Sequence, residues 1–255
     1  MLKWHLRISF IIGIWLFNGL SILSIAQSYL KPDPYNHTRK KSFSLGAFAH
    51  TYGIGISLDQ LRWITDKHGL KFGLDIASYK NRRENRIESL YRDQGGKPYI
   101  YDKLNYCYLV SFQFGFVKPI IRRTEFSKLH LSAYAQAGFS LAMLKPYLVE
   151  VAVPIPGTGN AVVKIDQNSS QYVFQDIVGE ADFFTSMSNF TAVPGLRLKS
   201  GTQLDIATNS LIIRAVDIGL QLDIFGKPLP IMDITPNPQY FLGGYIGLMI
   251  GNNWD

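Results

Sequence analysis

Apolar and polar residues alternate with a period of two over long stretches of this chain. That is the signature of a β-strand whose two faces meet different surroundings. The clearest stretch is 129–142. Leu129, Leu131, Ala133, Ala135, Ala137, Phe139 and Leu141 share one face, and His130, Ser132, Tyr134, Gln136, Gly138 and Ser140 share the other. In 104–116, Leu104, Tyr106, Tyr108, Val110, Phe112, Phe114 and Phe116 oppose Asn105, Cys107, Ser111, Gln113 and Gly115. In 212–224, Ile212, Val216, Ile218, Leu220, Leu222 and Ile224 oppose Asp217, Gly219, Gln221 and Asp223. In 70–77, Leu70, Phe72, Leu74 and Ile76 oppose Lys71, Gly73 and Asp75. Weaker alternation runs through 42–50, 53–63, 193–206 and 240–250. No helical period of comparable length is present. Eight strands are therefore expected, many of them longer than the five or six residues usual in soluble proteins. A tilted strand that crosses a bilayer needs roughly 9–11 residues.

The connections point the same way. Short ones fall at 65–68, 121–125 and 207–210, and long ones at about 81–103, 145–190 and 226–239. They alternate along the chain, as the periplasmic turns and outer loops of a single-chain bacterial barrel do. The first connection, at Thr51-Tyr52, is short although it falls on the outer side. The expected fold is all-β: an eight-stranded antiparallel transmembrane β-barrel over 42–255, with short periplasmic turns, long extracellular loops and both termini periplasmic. Tyr52, Trp63, Tyr79, Tyr106, Tyr108 and Tyr240 lie near strand ends, where an aromatic girdle would stand. The competing reading is a soluble β-sandwich or lipocalin-like barrel, which would turn the apolar face inward. Periodicity alone does not tell inside from outside.

Composition fits the membrane reading. The 255 residues are 47% hydrophobic and only 18% charged, with 22 Gly and 13% aromatics, and the mean hydropathy is +0.03. After residue 26 no run of 18 apolar residues marks a spanning helix. One cysteine, Cys107, excludes a disulfide within the chain. At the N-terminus, Lys3 and Arg7 precede an apolar run from Ile8 to Phe17, and Ser24-Ile25-Ala26 offers small residues before Gln27. This is the layout of a secretory signal peptide. The expected organisation is a cleaved signal at 1–26, a periplasmic segment at 27–41 and then the barrel; a single membrane anchor is the alternative.

Eight strands enclose a lumen that side chains can fill. Asp59, Lys71, Asp75, Arg197, Lys199, Asp205, Asp217 and Asp223 fall on the predicted inner face, with Gln113, Gln136, Gln203 and Gln221. Buried charges need partners. A salt-bridged polar plug is the expectation, and proton or ion conduction the alternative.

Catalytic chemistry finds little support. Some outer-membrane barrels modify lipids with Ser, His and an acid near one rim. Of His5, His37, His50, His68 and His130, only His50 nears the outer rim, and no Ser–acid pair is tied to it by spacing. Metal-ligand spacing is absent as well. No catalytic residue, cofactor, metal or nucleic-acid partner is expected.

Function is expected in the loops. Arg82, Arg83, Arg86, Arg92 and Lys97 make 81–103 net positive, suited to anionic lipopolysaccharide or else a solvated loop with internal ion pairs. The 145–190 loop is acidic, and Pro154-Ile155-Pro156-Gly157 with Ala161-Val162-Val163-Lys164-Ile165 suggests a small hairpin. The 226–239 loop has four prolines and the apolar Leu229, Ile231, Met232 and Ile234. These suit packing on the larger loop or a protein partner.

Two segments carry a resemblance: Tyr101-Asp102-Lys103-Leu104-Asn105, and Gly138-Phe139-Ser140-Leu141-Ala142-Met143-Leu144-Lys145-Pro146-Tyr147. Over roughly 45–150 the chain resembles an uncharacterised outer-membrane β-barrel family of Bacteroidota, whose members usually carry Gly where Asp102 stands and a second aromatic where Leu148 stands. The resemblance implies location and fold and supplies no catalytic residues. It places Lys145-Pro146-Tyr147 at the outer end of a strand, fixing the exit of the large loop. The expected function is a non-enzymatic barrel in contact with outer-membrane lipid and lipopolysaccharide. It would act structurally, or as an accessory subunit of an assembly, secretion or uptake complex through loops 145–190 and 226–239. A lipid-modifying enzyme is the alternative.

Overall fold

The computed structural model describes residues 41–65, 67–91, 93, 95–121, 129–155, 159–166, 177–186, 189–206, 212–233 and 237–254. The expected signal and residues 27–40 of the expected periplasmic segment lie outside these residues, as do Arg92 and Ile234, whereas Lys41, its last residue, already belongs to the first strand.

In chain order the strands are β1 (Lys41–His50), β2 (Gly53–Thr65), β3 (His68–Tyr79), β4 (Arg86–Ile87), β5 (Tyr99–Ile100), β6 (Asn105–Ile121), β7 (His130–Pro146), β8 (Leu148–Ile155), β9 (Gly159–Asp166), β10 (Ile177–Glu180), β11 (Thr191–Asp205), β12 (Ile212–Phe225) and β13 (Tyr240–Trp254). Eight of them close a barrel in the order β1-β13-β12-β11-β7-β6-β3-β2. All its ladders are antiparallel, and the seam is the pairing of β1 with β13 from Lys41↔Trp254 to His50↔Tyr245. These eight coincide with the eight alternating stretches of the sequence. Closure leaves no unpaired edge, which is what permits strands to stand in hydrocarbon.

The decisive feature is which face points in. Ile56 of β2, Phe112, Phe114 and Phe116 of β6, Phe139 of β7, Leu196 and Leu198 of β11, and Leu242, Leu248 and Ile250 of β13 are all exposed. Asp59, Lys71, Asp75, Gln113, Gln136, Arg197, Lys199, Asp217, Gln221 and Asp223 are buried inside. A soluble barrel would show the reverse. An apolar wall of this size far exceeds the few hundred Å² that a water-soluble monomer exposes.

One rim carries the short connections between β2 and β3, β6 and β7, and β11 and β12. At the first of them, Thr65 Oγ1 accepts from the Lys67 and His68 amides. The other rim carries the two-residue turn between β1 and β2 and three long connections, of which two hold further strands. β4 and β5 pair within the first. β10, β8 and β9 form a three-stranded sheet within the second. The expected hairpin there is β8–β9, from Leu148↔Asp166 to Ile155↔Gly159. The second connection also holds the 3-10 turn Phe183–Ser186.

Glycine is indispensable where strands crowd. A Cβ on Gly138 of β7 would meet Phe112 O of β6 at 1.9 Å, and one on Gly115 of β6 would meet Ala135 O at 1.9 Å.

Candidate functional site

The lumen gathers seven of the eight predicted inner-face charges. Arg197 of β11 faces Asp223 of β12 in register. Its Nε donates to Asp223 Oδ1 at 2.7 Å and its Nη2 to Oδ2 at 3.1 Å, while Nη1 donates to Asp75 Oδ2 at 3.0 Å. The same Asp75 oxygen accepts from Lys199 Nζ at 3.0 Å and from Gln113 Nε2 at 2.6 Å. Tyr79 OH donates to Asp223 Oδ2 and accepts from Gln221 Nε2 at 2.8 Å. Lys71 lies 3.1 Å from Asp59 in an ion pair, with its ammonium 3.9 Å from the centre of the Tyr134 ring. Asp217 accepts from Tyr134 OH at 2.7 Å and from Tyr245 OH at 3.4 Å. Deep burial makes such pairing obligatory, because an isolated ion there would cost many kcal/mol.

Asp205 differs from the other seven. It ends β11 at the short-turn rim, and its Oδ1 accepts from the Arg214 backbone amide at 3.2 Å. It anchors the β11–β12 connection.

Above the charges, rings fill the mouth. Tyr79 packs on His50 at 4.6 Å, on Tyr52 at 5.9 Å and on Phe241 at 5.2 Å, and Phe241 meets Phe225 at 6.0 Å. Here the girdle expectation is corrected: Tyr79 is buried inside, Tyr52 leans over the mouth, and Trp63 turns inward against His130. A tyrosine hydroxyl satisfied by lumen carboxylates and amides gains more than one left at an interface. Tyr240 stands exposed on the outer wall.

The rings continue into the loops as a buried apolar cluster that includes Tyr99, Ile100, Tyr147, Leu229, Ile231 and Met232. Of the two expectations for Leu229, Ile231 and Met232, packing within the loops or a surface for a partner, burial of all three fits the first. The 226–239 connection is stitched to the chain before β6. Leu104 N donates to Ile231 O at 2.9 Å, Asn105 Nδ2 to Pro230 O at 2.7 Å, and Asp233 N to Asp102 O at 2.8 Å. Asp102 sits at φ 57, in the left-handed region, which aspartate tolerates better than most residues other than glycine.

The two resembling segments meet in space. β6 and β7 pair Asn105↔Pro146 and Tyr106↔Lys145, Tyr147 N donates to Leu104 O at 2.9 Å, and Tyr147 OH accepts from Ile100 N at 2.9 Å. Lys103, 1% exposed, pairs with Glu84 at 2.6 Å. Its ammonium lies 4.2 Å from the centre of the Tyr106 ring. Burial pulls the Lys103 pKa below the usual lysine range, and the Glu84 hydrogen bond opposes that shift.

The basic residues of 81–103 divide. Arg82 and Arg83 are exposed. Arg86 reaches Glu180 at 3.8 Å, and Lys97 pairs with Asp182 at 3.0 Å, both across to the 145–190 connection. Lys145 stands at the outer end of β7, as expected, and is buried against Phe183, whose carbonyl accepts from its ammonium.

Sequence reasoning missed Tyr134, Tyr245, Glu84 and Glu180. The first two occupy inward positions of alternating strands. That parity was legible, but their shared partner Asp217 lies 83 and 28 positions away in sequence.

No protein-family model matches the chain, and no curated protein matches it. Solved structures do. Neisserial surface protein A aligns at 12% identity and a TM-score of 0.39, over 84% of this chain and 96% of that one. Ail of Yersinia pestis, solved with the heparin analogue sucrose octasulfate, aligns at 10% identity and a TM-score of 0.40, over 84% and 97%. The N-terminal β-barrel domain of Pseudomonas aeruginosa OprF aligns at 11% identity and 0.37, over 84% and 97%.

Proposed function

We propose that the protein is a non-enzymatic outer-membrane β-barrel with a closed lumen that acts through its extracellular loops. It serves either as a stand-alone structural protein or as an accessory subunit of an assembly, secretion or uptake complex. The observation that carries this reading is the inversion of the barrel: an exposed apolar wall around an interior of buried charges, with a cluster of buried rings at the long-loop rim. The short connections, the start of β1 and the end of β13 then face the periplasm, and the long connections face outward. Arg82 and Arg83, exposed and on the long-loop side, are among the cations that would meet lipopolysaccharide.

Planar-bilayer recording tests the closed lumen: the expected result is no steady conductance, and an open channel overturns it. Heat-dependent gel mobility tests the barrel. A mild-detergent pull-down and analysis of lipid A distinguish the roles. A stoichiometric large partner supports the accessory role. Altered lipid A without a partner would overturn the non-enzymatic reading in favour of a lipid-modifying enzyme.

A further inference from the structure

The outer face of β6 rises through Phe116, Phe114, Phe112, Val110, Tyr108 and Tyr106 towards the long-loop rim. The three phenylalanines are exposed, but the two tyrosines are partly covered. Their cover is a piece of the 145–190 connection folded down outside the wall. The Phe183 ring lies 6.4 Å from both Tyr106 and Tyr108. Lys145, outward-pointing on β7 yet 2% exposed, holds its ammonium 3.6 Å from the centre of that ring. Phe184 stands edge-on to Phe183 at 5.5 Å and is 77% exposed. Phe190 is also exposed, one residue before Thr191, which pairs with Leu144 beside Lys145.

These aromatics lie beside the barrel wall and not over its mouth, and they continue the exposed apolar face of β6. Adjacent phenylalanines turned to water would be unfavourable, whereas at the boundary between headgroups and acyl chains they are at home. The same segment is tied to the rest of the cap. Tyr106 OH donates to Glu180, Ala181 N donates to Leu148 O at 3.0 Å, and Lys97 binds Asp182.

We infer that the turn at Phe183–Ser186 is a membrane foot: Phe183 and Phe184 enter the headgroup–acyl boundary of the outer leaflet, screen the Lys145 ammonium from lipid, and fasten the loop cap to the bilayer. This rests on the membrane-barrel reading, and the occupant is the lipid of the membrane that the barrel spans.

Single-tryptophan proteins test it, with Trp4, Trp15, Trp63 and Trp254 replaced by phenylalanine, folded into phosphatidylcholine vesicles brominated on the acyl chains. Phe112→Trp reports the mid-wall, Leu90→Trp the 81–103 connection, and Phe184→Trp the foot. Quenching at 112 and 184 with none at 90 is the expected result. Quenching at 112 with 184 behaving like 90 overturns the foot and leaves the barrel standing. Absence of quenching at 112 overturns the membrane reading itself. A residue 184 shielded from bromolipid and from aqueous acrylamide alike would mean that a second copy covers it, and would overturn the foot. If the tryptophan background does not fold, a spin label on Phe184→Cys with Cys107→Ser reads the same question. Greater accessibility to oxygen than to an aqueous nickel chelate supports the foot, and the reverse overturns it.

Discussion

Arg197 and Asp223 face each other on neighbouring strands and meet through two hydrogen bonds, at 2.7 and 3.1 Å, in the middle of a barrel where neither has any exposure to solvent. The geometry is a bidentate fork, the strongest form that an arginine–carboxylate pair takes. A third hydrogen bond carries Arg197 on to Asp75. One cation therefore joins carboxylates from β3 and β12.

Removing that cation should be costly. Arg197→Met would leave Asp75 with Lys199 as its ion-pair partner and Asp223 with hydroxyl contacts alone. The expected loss is about 3–5 kcal/mol, the usual effect of breaking a buried pair from one side. Urea unfolding in vesicles, followed by gel mobility, measures it; a loss near zero would show that the lumen is hydrated enough to replace the guanidinium.

The two lysine–carboxylate pairs of the cap should behave differently. Lys103–Glu84 is buried, and Lys97–Asp182 is exposed on both sides. Lys103→Met should open the cap, seen as faster proteolysis within 81–103 at unchanged barrel stability. Lys97→Ala should leave the cleavage rate unaltered, since exposed pairs contribute little.

Asp102 makes cap stability depend on pH. Burial, then the charge of Asp233, raises its pKa above the usual aspartate value. The folded cap thus binds the Asp102 proton more tightly than the unfolded chain does. The contribution is full below the ordinary aspartate pKa and is lost as pH rises through the raised one. Exchange of the Asp233 amide, which donates to Asp102 O, should speed up across that window. Asp102→Asn, which tolerates the left-handed backbone, should abolish the dependence.

Gly138→Ala should hinder assembly. The added carbon would stand 1.9 Å from Phe112 O, so β6 and β7 must separate and lose ladder hydrogen bonds. The expected result is a smaller heat-modifiable fraction after folding into vesicles, whereas Ala137→Gly on the outer wall should fold normally.

Much of the barrel is legible in the sequence because strand parity is a local property. Phe112, Gln113 and Phe114 declare their faces by position alone, and a closed sheet of alternating residues has few other ways to satisfy its backbone. The lumen charges were legible for the same reason: Lys71, Asp75, Arg197 and Lys199 each fall on a polar face. Their partners were not, since the pairing of Arg197 with Asp75 spans 122 positions and depends on the shear of the closed sheet.

What the sequence determined by itself, then, is strand number, strand length and the separation of each strand into two faces, because side chains alternate with the backbone pleat. Tertiary structure alone decided that the apolar face points outward, since alternation is symmetric to that choice and only closure around the charges breaks it. It also decided the fates of Tyr79, read as girdle, of Leu229 and Ile231, read as loop packing or partner surface, and of Lys145, read only as a strand end. In the fold they are buried, because connections far apart in sequence close over them.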